Sequence, residues 1–588
     1  MSCRWFLVRP RVILSVLSAM LVRALPNGQG LRPALGFSTW NWNQTCTTRA
    51  MLAPLAEAMV SRGLVQAGYT VFVADCAGPS RGADGGIVLP EAQWPGGVPA
   101  WNAYLHSLGM RAAFYTDYGE HGCCSCAWQT NGAGENRSFG DAGHIQADMA
   151  QLARWGTDYI KVDSCQPVAW RSGRPDDPAQ YGRFRDAIAS AAQVHPMVFS
   201  IIGFKGSPFM SSNGRGYGWL NRTGNSWRTS ADIGYSWSSI LANLDAQENV
   251  PGVEQLAGPG GFADLDMLMF GNPKAGLTPT QEASHLALWA ILKSPLLLST
   301  DVRSLTATQL EMLTNARMLA VSQDALGVQA TRVLPRADFV AGGAVYGARV
   351  ESGYSIGQHQ QWELKVGGRL YNAASGLCLG RSAGSSQGAI ILADCTSVRG
   401  VTWVVRAVGS GDGDSSGSCN VIASADNTSQ CLGLKHVKGT SEYQRAAIVP
   451  CDSGTARHGW ATTTQYLNIT VGELTSCDTS LPQPLALDAA PRATTNVFAG
   501  PLVDGAWAVL LFNRADTPQV VGLDFMLLPG LLSGSAGTAA GKTLRFNVTE
   551  VWQGTALGTA TGQLSSVLQP HAALFAVLSP VDDTSFLR

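Results

Sequence analysis

Short apolar runs alternate with stretches of helical spacing through the first half of the chain. Between the runs, segments such as 51–63 and 281–293 place apolar residues three and four positions apart, which is typical of amphipathic helices. Eight β/α units in about 290 residues predict an α/β fold, a (β/α)8 barrel, with a doubly wound open sheet as the alternative. The predicted strands are 34–40, 70–76, 111–117, 159–163, 198–203, 226–232, 262–268 and 295–301.

The pattern changes after residue 336. Residues 337–490 are rich in Gly, Ser, Thr and Cys and show no amphipathic helix. Two segments repeat one another: LCLG (377–380) running to ADC (393–395), and QCLG (430–433) running to PCD (450–452). This repeat predicts an all-β insertion, in which Cys378 would pair with Cys395 and Cys431 with Cys451. From 491 onward apolar and polar residues alternate again, which predicts an antiparallel β-sandwich.

The N-terminus carries arginines ahead of an apolar run at 12–22. The run is too short to span a bilayer comfortably and predicts a cleaved secretory signal, with a signal-anchor as the alternative. The predicted organisation is a signal peptide (1–28), a catalytic barrel (29–322), a link (323–336), the insertion (337–490) and a C-terminal β-sandwich (491–588).

Composition narrows the function classes. The chain has 588 residues, 41 Lys+Arg against 42 Asp+Glu, and a net charge of −1, so it lacks the basic surface of a nucleic-acid binder. The 13 cysteines become an even number once Cys3 leaves with the signal, which suits an oxidising compartment. We therefore expect a glycoprotein of the secretory pathway, extracellular or vacuolar/lysosomal, with no membrane contact after signal cleavage. Six sequons agree: Asn43, Asn136, Asn221, Asn427, Asn468 and Asn547.

Polar residues lie at the carboxyl ends of the predicted strands, where barrel enzymes build their active sites. Carboxylates and cations can bridge sugar hydroxyls while an aromatic ring stacks on the sugar, and two carboxylates can share glycoside hydrolysis. The candidates are Trp40, Asp75, Tyr115, Asp117, Lys161, Asp163, Arg228, Asp232, Asp264 and Asp266.

Several of these residues belong to segments that resemble a known family. WGTDYIKVDSC (155–165) resembles the nucleophile strand of glycoside hydrolase family 27, the melibiases. Further segments similar to that family are ALGFSTW (34–40), GNSWRTSADI (224–233), GPGGFADLDML (258–268), LWAILKSPLL (288–297), FAGPL (498–502) and LFNR (511–514). The resemblance covers about 29–336 and 495–588.

The resemblance implies that Asp163 is the nucleophile and Asp232 the general acid/base. It also implies disulfides Cys46–Cys76 and Cys124–Cys165, with Cys123 as the alternative partner of Cys165. Asp117, Asp264 and Asp266 would support the sugar-binding side chains from behind. The residues implied to contact the sugar are Trp40, Asp75, Tyr115, Lys161, Arg228 and Gly203.

Two positions depart from the family pattern. Ala74 stands where most members carry the first of two aspartates, so one sugar-binding carboxylate is missing. IGF (202–204) replaces the usual Cys-Glu-Trp, so Gly203 leaves space beside the sugar's 2-position. We expect weak affinity for simple galactosides, with N-acetylgalactosaminides or pentosides competitive.

The insertion resembles ricin-type β-trefoil lectin repeats, with a disulfide-stapled spacer as the alternative. No cofactor and no metal are implied, because the 121–126 cluster lacks a second ligand pair at zinc spacing and no phosphate-binding loop is present. The predicted function is a secreted or vacuolar retaining exo-glycosidase, an α-galactosidase. Its substrates would be galactosyl oligosaccharides, polysaccharides or glycoconjugates, and a homodimer is left open. The alternatives are an α-N-acetylgalactosaminidase, a β-L-arabinopyranosidase, or a catalytically silent carbohydrate-binding glycoprotein.

Overall fold

The structure is a computed structural model of the chain. It describes residues 25–124, 126–129, 139–165, 177–202, 218–248, 256–333, 495–528 and 544–581, together with the strands between 346 and 488. Within it the chain forms two compact units, one of Met1–Lys205, Phe209–Val333 and Thr495–Arg588, the other of Gly206–Pro208 and Leu334–Thr494.

The first unit contains a barrel of eight parallel strands, which confirms the predicted fold class. The strands are β1 (Leu35–Ser38), β2 (Val71–Ala74), β5 (Arg111–Asp117), β6 (Tyr159–Asp163), β7 (Val198–Ile201), β8 (Ser226–Arg228), β9 (Phe262–Asp264) and β10 (Leu296–Leu298). They pair in the order β10-β1-β2-β5-β6-β7-β8-β9, and a parallel bridge between Leu268 and Leu298 closes the ring beyond β9. The open sheet is therefore the wrong alternative. A small hairpin, β3 (Ser80–Arg81) and β4 (Ile87–Val88), leaves the barrel after β2.

Helices surround the barrel and present apolar faces to it. The helix Pro279–Ile291 shows how their ends are fixed: Thr278 and Gln281 form a capping box, and Pro279 begins the first turn, where its missing N–H costs no hydrogen bond. The helices are α1 (Arg49–Ser61), α2 (Gly97–Ser107), α3 (Ile145–Arg154), α4 (Asp177–Ala191), α5 (Trp237–Glu248), α6 (Pro279–Ile291), α7 (Ala307–Leu313) and α8 (Ala316–Ser322).

A C-terminal β-domain completes the first unit. Its strands are β11 (Thr331–Arg332), β25 (Thr495–Pro501), β26 (Trp507–Asn513), β27 (Gln519–Asp524), β28 (Arg545–Glu550), β29 (Ala556–Thr561), β30 (Gln563–Leu568) and β31 (Ala573–Pro580). The main sheet has the order β11-β25-β26-β31-β28-β29, and β27 pairs with β30 in a separate antiparallel ribbon. The strand before the insertion, β11, pairs with the strand after it, β25, so that Thr331 lies opposite Ala499. The two chain segments that flank the insertion therefore lie side by side.

The second unit is antiparallel β structure in its described residues. Cys378 and Cys431 are each disulfide-bonded, while Cys395 and Cys451 lie outside the described residues. The strands are β12 (Tyr346–Arg349), β13 (Gln361–Lys365), β14 (Arg369–Asn372), β15 (Leu377–Arg381), β16 (Ile390–Ala393), β17 (Trp403–Ala407), β18 (Cys419–Ser424), β19 (Gln430–His436), β20 (Gln444–Pro450), β21 (Gly459–Thr462), β22 (Gln465–Tyr466), β23 (Ile469–Ser476) and β24 (Leu485–Asp488).

Among the described residues no helix is both long enough and apolar enough to cross a membrane.

Candidate active site

The site is built where the barrel strands end. In the register of β5 with β6, Tyr115 lies opposite Lys161 and Asp117 opposite Asp163, so two neighbouring strands present their polar side chains at one level. Lys161 and Asp163 are two residues apart on β6 and therefore point to the same side of the sheet.

A buried ion pair occupies one side of the site. Asp75 follows β2 and accepts a hydrogen bond from Lys161 Nζ at 2.7 Å and another from Ser38 Oγ at 2.5 Å. Burial opposes the charged ammonium of Lys161, but the charge of Asp75 and its hydrogen bond outweigh burial and raise the pKa of Lys161 above its ordinary value. Lys161 is therefore a permanent cation at the base of the site, and Asp75 is oriented by two donors.

Asp163 is held through both carboxylate oxygens. Tyr115 Oη donates to Oδ2 at 3.0 Å, and the Ser164 backbone N–H donates to Oδ1 at 2.8 Å. Burial, followed by the charges of Asp163 and Asp117, raises the pKa of Tyr115 well above its usual value, so the phenol keeps its proton and acts as a donor. Each carboxylate oxygen of Asp163 therefore has a hydrogen-bond donor, which fixes the orientation of the side chain.

Arg228 joins the strand ends on the opposite side. Its Nη2 lies 3.0 Å from Asp266 Oδ2 and 3.3 Å from Asp232 Oδ1. Burial disfavours its charge, but Asp266 and then Asp232 outweigh burial and raise the pKa of Arg228. Arg228 is 2% exposed, whereas the side chain of Asp232 is 50% exposed. The candidate nucleophile Asp163 is thus enclosed, whereas the candidate acid/base Asp232 is open to solvent.

Asp264 and Asp266 lie behind these residues. Burial raises the pKa of Asp266 to about 6 even though Arg228 opposes the shift, and burial also raises the pKa of Asp264. Asp266 adopts a left-handed backbone with φ of 78°. Its Oδ2 accepts from the Ile233 backbone N–H at 2.8 Å, which ties the segment carrying Asp232 to the end of β9.

Asp117 supports a segment rich in disulfides. Its carboxylate accepts from the backbone N–H of Gly119 at 2.7 Å and of Cys165 at 2.6 Å. It therefore fixes the chain beyond β6, and among the described contacts its role is structural.

The predicted disulfide pairing at the site is wrong. The structure joins Cys46 to Cys126, Cys76 to Cys124 and Cys123 to Cys165, with Cα–Cα distances of 5.6, 5.3 and 5.3 Å. The predicted pairs were Cys46–Cys76 and Cys124–Cys165. Each of three cysteines crowded into residues 123–126 takes a partner from elsewhere, so a shift of one position changes the partner. Cys165 pairs with Cys123, which was the predicted alternative to Cys124.

One group of metal-ligand side chains is found among the described residues: Asp117, Cys123, Asp163 and Cys165, whose ligand atoms lie within 4.8 Å of one another. Cys123 and Cys165 are bonded to each other, so neither offers the thiolate that a metal would require. The group is a disulfide beside two carboxylates.

Most of the predicted residues come together at one rim. Asp75 contacts Lys161, Tyr115 contacts Asp163, and Arg228 contacts both Asp232 and Asp266. Trp40 follows β1 at the same rim and is partly buried against the barrel core. Gly203 lies outside the described residues.

Sequence reasoning missed Ser38 and Asn41. Ser38 donates to Asp75, while Asn41 Nδ2 donates to the Ile233 carbonyl at 2.9 Å and its own carbonyl accepts from Tyr235 Oη at 2.9 Å. A signal for Ser38 existed: it lies two residues before Trp40, so an extended chain points both to the same side. Nothing local in the sequence marks Asn41, because its partners are 192 and 194 positions away.

The arrangement fits one class of enzyme. A retaining or inverting glycosidase needs two carboxyl groups in different environments, one of which can exchange a proton with the leaving group. An enclosed, doubly hydrogen-bonded Asp163 and an open Asp232 on a barrel rim meet that need, and the protein is a glycoside hydrolase.

Comparisons with known proteins place it more narrowly. The family profile described as "Alpha galactosidase A" matches residues 39–324, and that described as "Alpha galactosidase C-terminal beta sandwich domain" matches residues 493–578. A probable α-galactosidase of Dictyostelium discoideum is 33% identical over 322 residues, which are 55% of this chain and 76% of the relative. An α-galactosidase of Oryza sativa subsp. japonica is 33% identical over 53% of this chain and 68% of its own length. The chain belongs to the melibiase family, glycoside hydrolase family 27.

Solved structures share the fold. α-Galactosidase from Saccharomyces cerevisiae with raffinose has a TM-score of 0.57 at 17% identity, covering 94% of this chain and 99% of that one. A β-L-arabinopyranosidase from Geobacillus stearothermophilus has a TM-score of 0.56 at 15% identity, covering 95% and 99%.

Proposed function

We propose that the protein is a retaining exo-α-galactosidase that hydrolyses terminal α-D-galactosyl residues by double displacement. The observation that carries this proposal is the presence at one rim of an enclosed Asp163, held by Tyr115 and Ser164, and a half-exposed Asp232, held by Arg228. The relatives that match over most of their length, from Dictyostelium discoideum and Oryza sativa, carry the name α-galactosidase, which favours galactose over the alternative sugars.

The reaction follows from these two carboxyl groups. An Asp163 oxygen attacks the anomeric carbon, the bond to the leaving oxygen breaks, and Asp232 gives that oxygen its proton. Water then attacks the same carbon, Asp232 takes the proton of the water, and the bond to Asp163 breaks to release galactose. Two inversions at one carbon leave its configuration unchanged.

The remaining residues bind the sugar. Asp75 and the cations Lys161 and Arg228 bind hydroxyls, and Trp40 stacks on the ring. Tyr115 lines the same pocket beside Asp163, and Gly203, which lies outside the described residues, is proposed from the sequence alone to leave room at the 2-position.

A panel of nitrophenyl glycosides tests the substrate. We expect the α-galactoside to be the best substrate, with a KM raised by the carboxylate that Ala74 removes. The loss of one charged hydrogen bond is about 1.5–3 kcal/mol, or roughly 10- to 150-fold. The matched variant Ala74→Asp should lower KM by up to that factor, with little change in kcat. Faster turnover of the α-N-acetylgalactosaminide or β-L-arabinopyranoside would reject galactose as the sugar, and no turnover at all would favour a silent binder.

We further propose that the protein enters the secretory pathway through the signal at 1–28. Of the sequons, Asn547 is exposed and suits a glycan, whereas Asn221 is buried.

The insertion, 337–490 by sequence, is proposed to be a ricin-type β-trefoil-like module that binds carbohydrate. It leaves the first unit where its flanking strands pair: the Val333 backbone N–H donates to the Val497 carbonyl at 2.9 Å. Such a meeting of chain ends lets a module be inserted without breaking the host sheet.

Deleting 334–494 and joining the ends with a short Gly/Ser linker tests this role. We expect turnover of a nitrophenyl galactoside to stay within about twofold, while hydrolysis of galactomannan slows by about tenfold or more, because a tethered binding module raises the effective concentration of polymer at the site. If the deletion changes the rates on the nitrophenyl galactoside and on galactomannan by the same factor, the insertion is a spacer.

A further inference from the structure

The segment that carries Asp232 has no regular structure of its own. It lies between the end of β8 at Arg228 and the start of helix α5 at Trp237. Because the Asp232 side chain is half exposed, its position depends on how this backbone is held. Asp266 and Asn41 bond the backbone of Ile233 from the barrel side, at 2.8 and 2.9 Å.

Helix α5, which follows directly, is held by the C-terminal β-domain at both ends. Near its C-terminal end, Asp245 forms a two-pronged ion pair with Arg514, with both N–O distances 2.6 Å. At its first residue, the Trp237 ring lies 6.0 Å from the Phe512 ring, edge to face, and 5.4 Å from the His571 ring. Phe512 is in β26 and Arg514 directly follows it, so one strand reaches both ends of the helix.

The partner of Trp237 is itself fixed. The His571 ring contacts Gln281 Nε2 at 2.9 Å through Nδ1 and Asp516 Oδ1 at 2.9 Å through Nε2. Ser284 Oγ donates to the His571 carbonyl at 2.6 Å. His571, against which Trp237 packs, is therefore held by helix α6 as well as by a residue of the β-domain.

We propose that the C-terminal β-domain positions the general acid/base Asp232, with Trp237 and Arg514 as the positioning residues. This rests on the proposed role of Asp232. Movement of α5 shifts the four residues between Asp232 and the helix, and a displacement of about 1 Å at a reacting group lowers a rate by up to about 10²-fold.

The chain offers a matched control in a second contact between the β-domain and the barrel. Arg317 Nε donates to the Val551 carbonyl at 3.1 Å, and Asn315 Nδ2 donates to the Trp552 carbonyl at 2.8 Å. These bonds hold helix α8, so their loss loosens the domain without touching α5.

The experiment compares Trp237→Leu and Arg514→Gln with Arg317→Gln in the full chain. Each variant is assayed on a nitrophenyl α-galactoside, whose leaving group needs little protonation, and on an alkyl α-galactoside, which depends on the acid. We expect the two test variants to lose about 10- to 100-fold more kcat/KM on the alkyl substrate than on the nitrophenyl one, with Arg317→Gln showing no such difference. Trp237→Phe should restore most of the loss.

The outcomes separate the two proposals. If Asp232→Asn shows the selective loss but neither test variant does, the β-domain does not position the acid. The same holds if Arg317→Gln shows an equal selective loss, because the effect is then general loosening. If Asp232→Asn itself shows no selectivity, the proposed role of Asp232 fails and this inference falls with it. Arg514→Gln keeps the experiment decisive should Trp237→Leu not fold.

Discussion

Replacing Asp163 by Asn is expected to lower kcat on every α-galactoside by about 10⁴-fold or more, since removal of a nucleophile that works with a partner costs losses of this order. The amide keeps the size of the side chain and can still meet Ser164 and Tyr115, so folding should be unaffected. Steady-state assays with both nitrophenyl and alkyl substrates, beside a thermal melt of the variant, measure this.

Rescue by azide shows from which face of the sugar the residue at position 163 acts. In Asp163→Ala the space left by the carboxylate admits azide, which attacks from the face opposite the leaving group and yields the β-galactosyl azide. The control Tyr115→Phe removes one hydrogen bond to the charged nucleophile and should cost only about 10- to 150-fold. Wild-type levels of activity in Asp163→Asn, or release of the β-anomer as the first product of the wild-type enzyme, would contradict double displacement through Asp163.

The barrel could be predicted because its signals are local. Each strand is a short apolar run, and β5 and β6 have the bounds that the sequence predicts. The predicted runs at 226–232 and 262–268 extend too far: the strands end at Arg228 and Asp264. Leu265, Met267 and Leu268 are buried like strand residues, but Asp266 turns the backbone into the left-handed region and ends the strand.

The residues of the site could be predicted from the sequence, but the disulfides and long-range contacts that hold them could not. The polar side chains at strand ends identified Asp75, Lys161 and Asp163, because a barrel brings strand ends together. Disulfide pairing could not be predicted, since six cysteines allow 15 arrangements and three of them, Cys123, Cys124 and Cys126, lie only one or two positions apart. The contact between the β-domain and α5 includes the ion pair of Asp245 and Arg514, which are 269 positions apart, so no local sequence pattern predicts it.

Replacing Asp232 by Asn is expected to have an effect that depends on the leaving group. General acid/base catalysis typically raises a rate by about 10²–10⁴-fold. Its acid step, the protonation of the leaving group, is needed least when the leaving group is already acidic. Asp232→Asn should therefore lose about 10³-fold or more in kcat/KM on an alkyl galactoside and much less on a nitrophenyl galactoside. For the nitrophenyl substrate the second step becomes slow, so a burst of nitrophenol should precede a slow steady state.

Azide again identifies the residue, now with the opposite stereochemistry. In Asp232→Ala the nucleophile is intact, so azide attacks the galactosyl-Asp163 intermediate and yields the α-galactosyl azide, raising the nitrophenyl turnover. Asp266→Asn is the informative comparison: Asp266 accepts bonds from Arg228 and Ile233 but lies behind Asp232, so its loss should weaken the acid without azide rescue. The same azide anomer from Asp163→Ala and Asp232→Ala would mean that the two carboxyls do not divide the work as proposed, because attack on an enzyme-bound galactosyl group and attack on the free substrate proceed from opposite faces of the sugar.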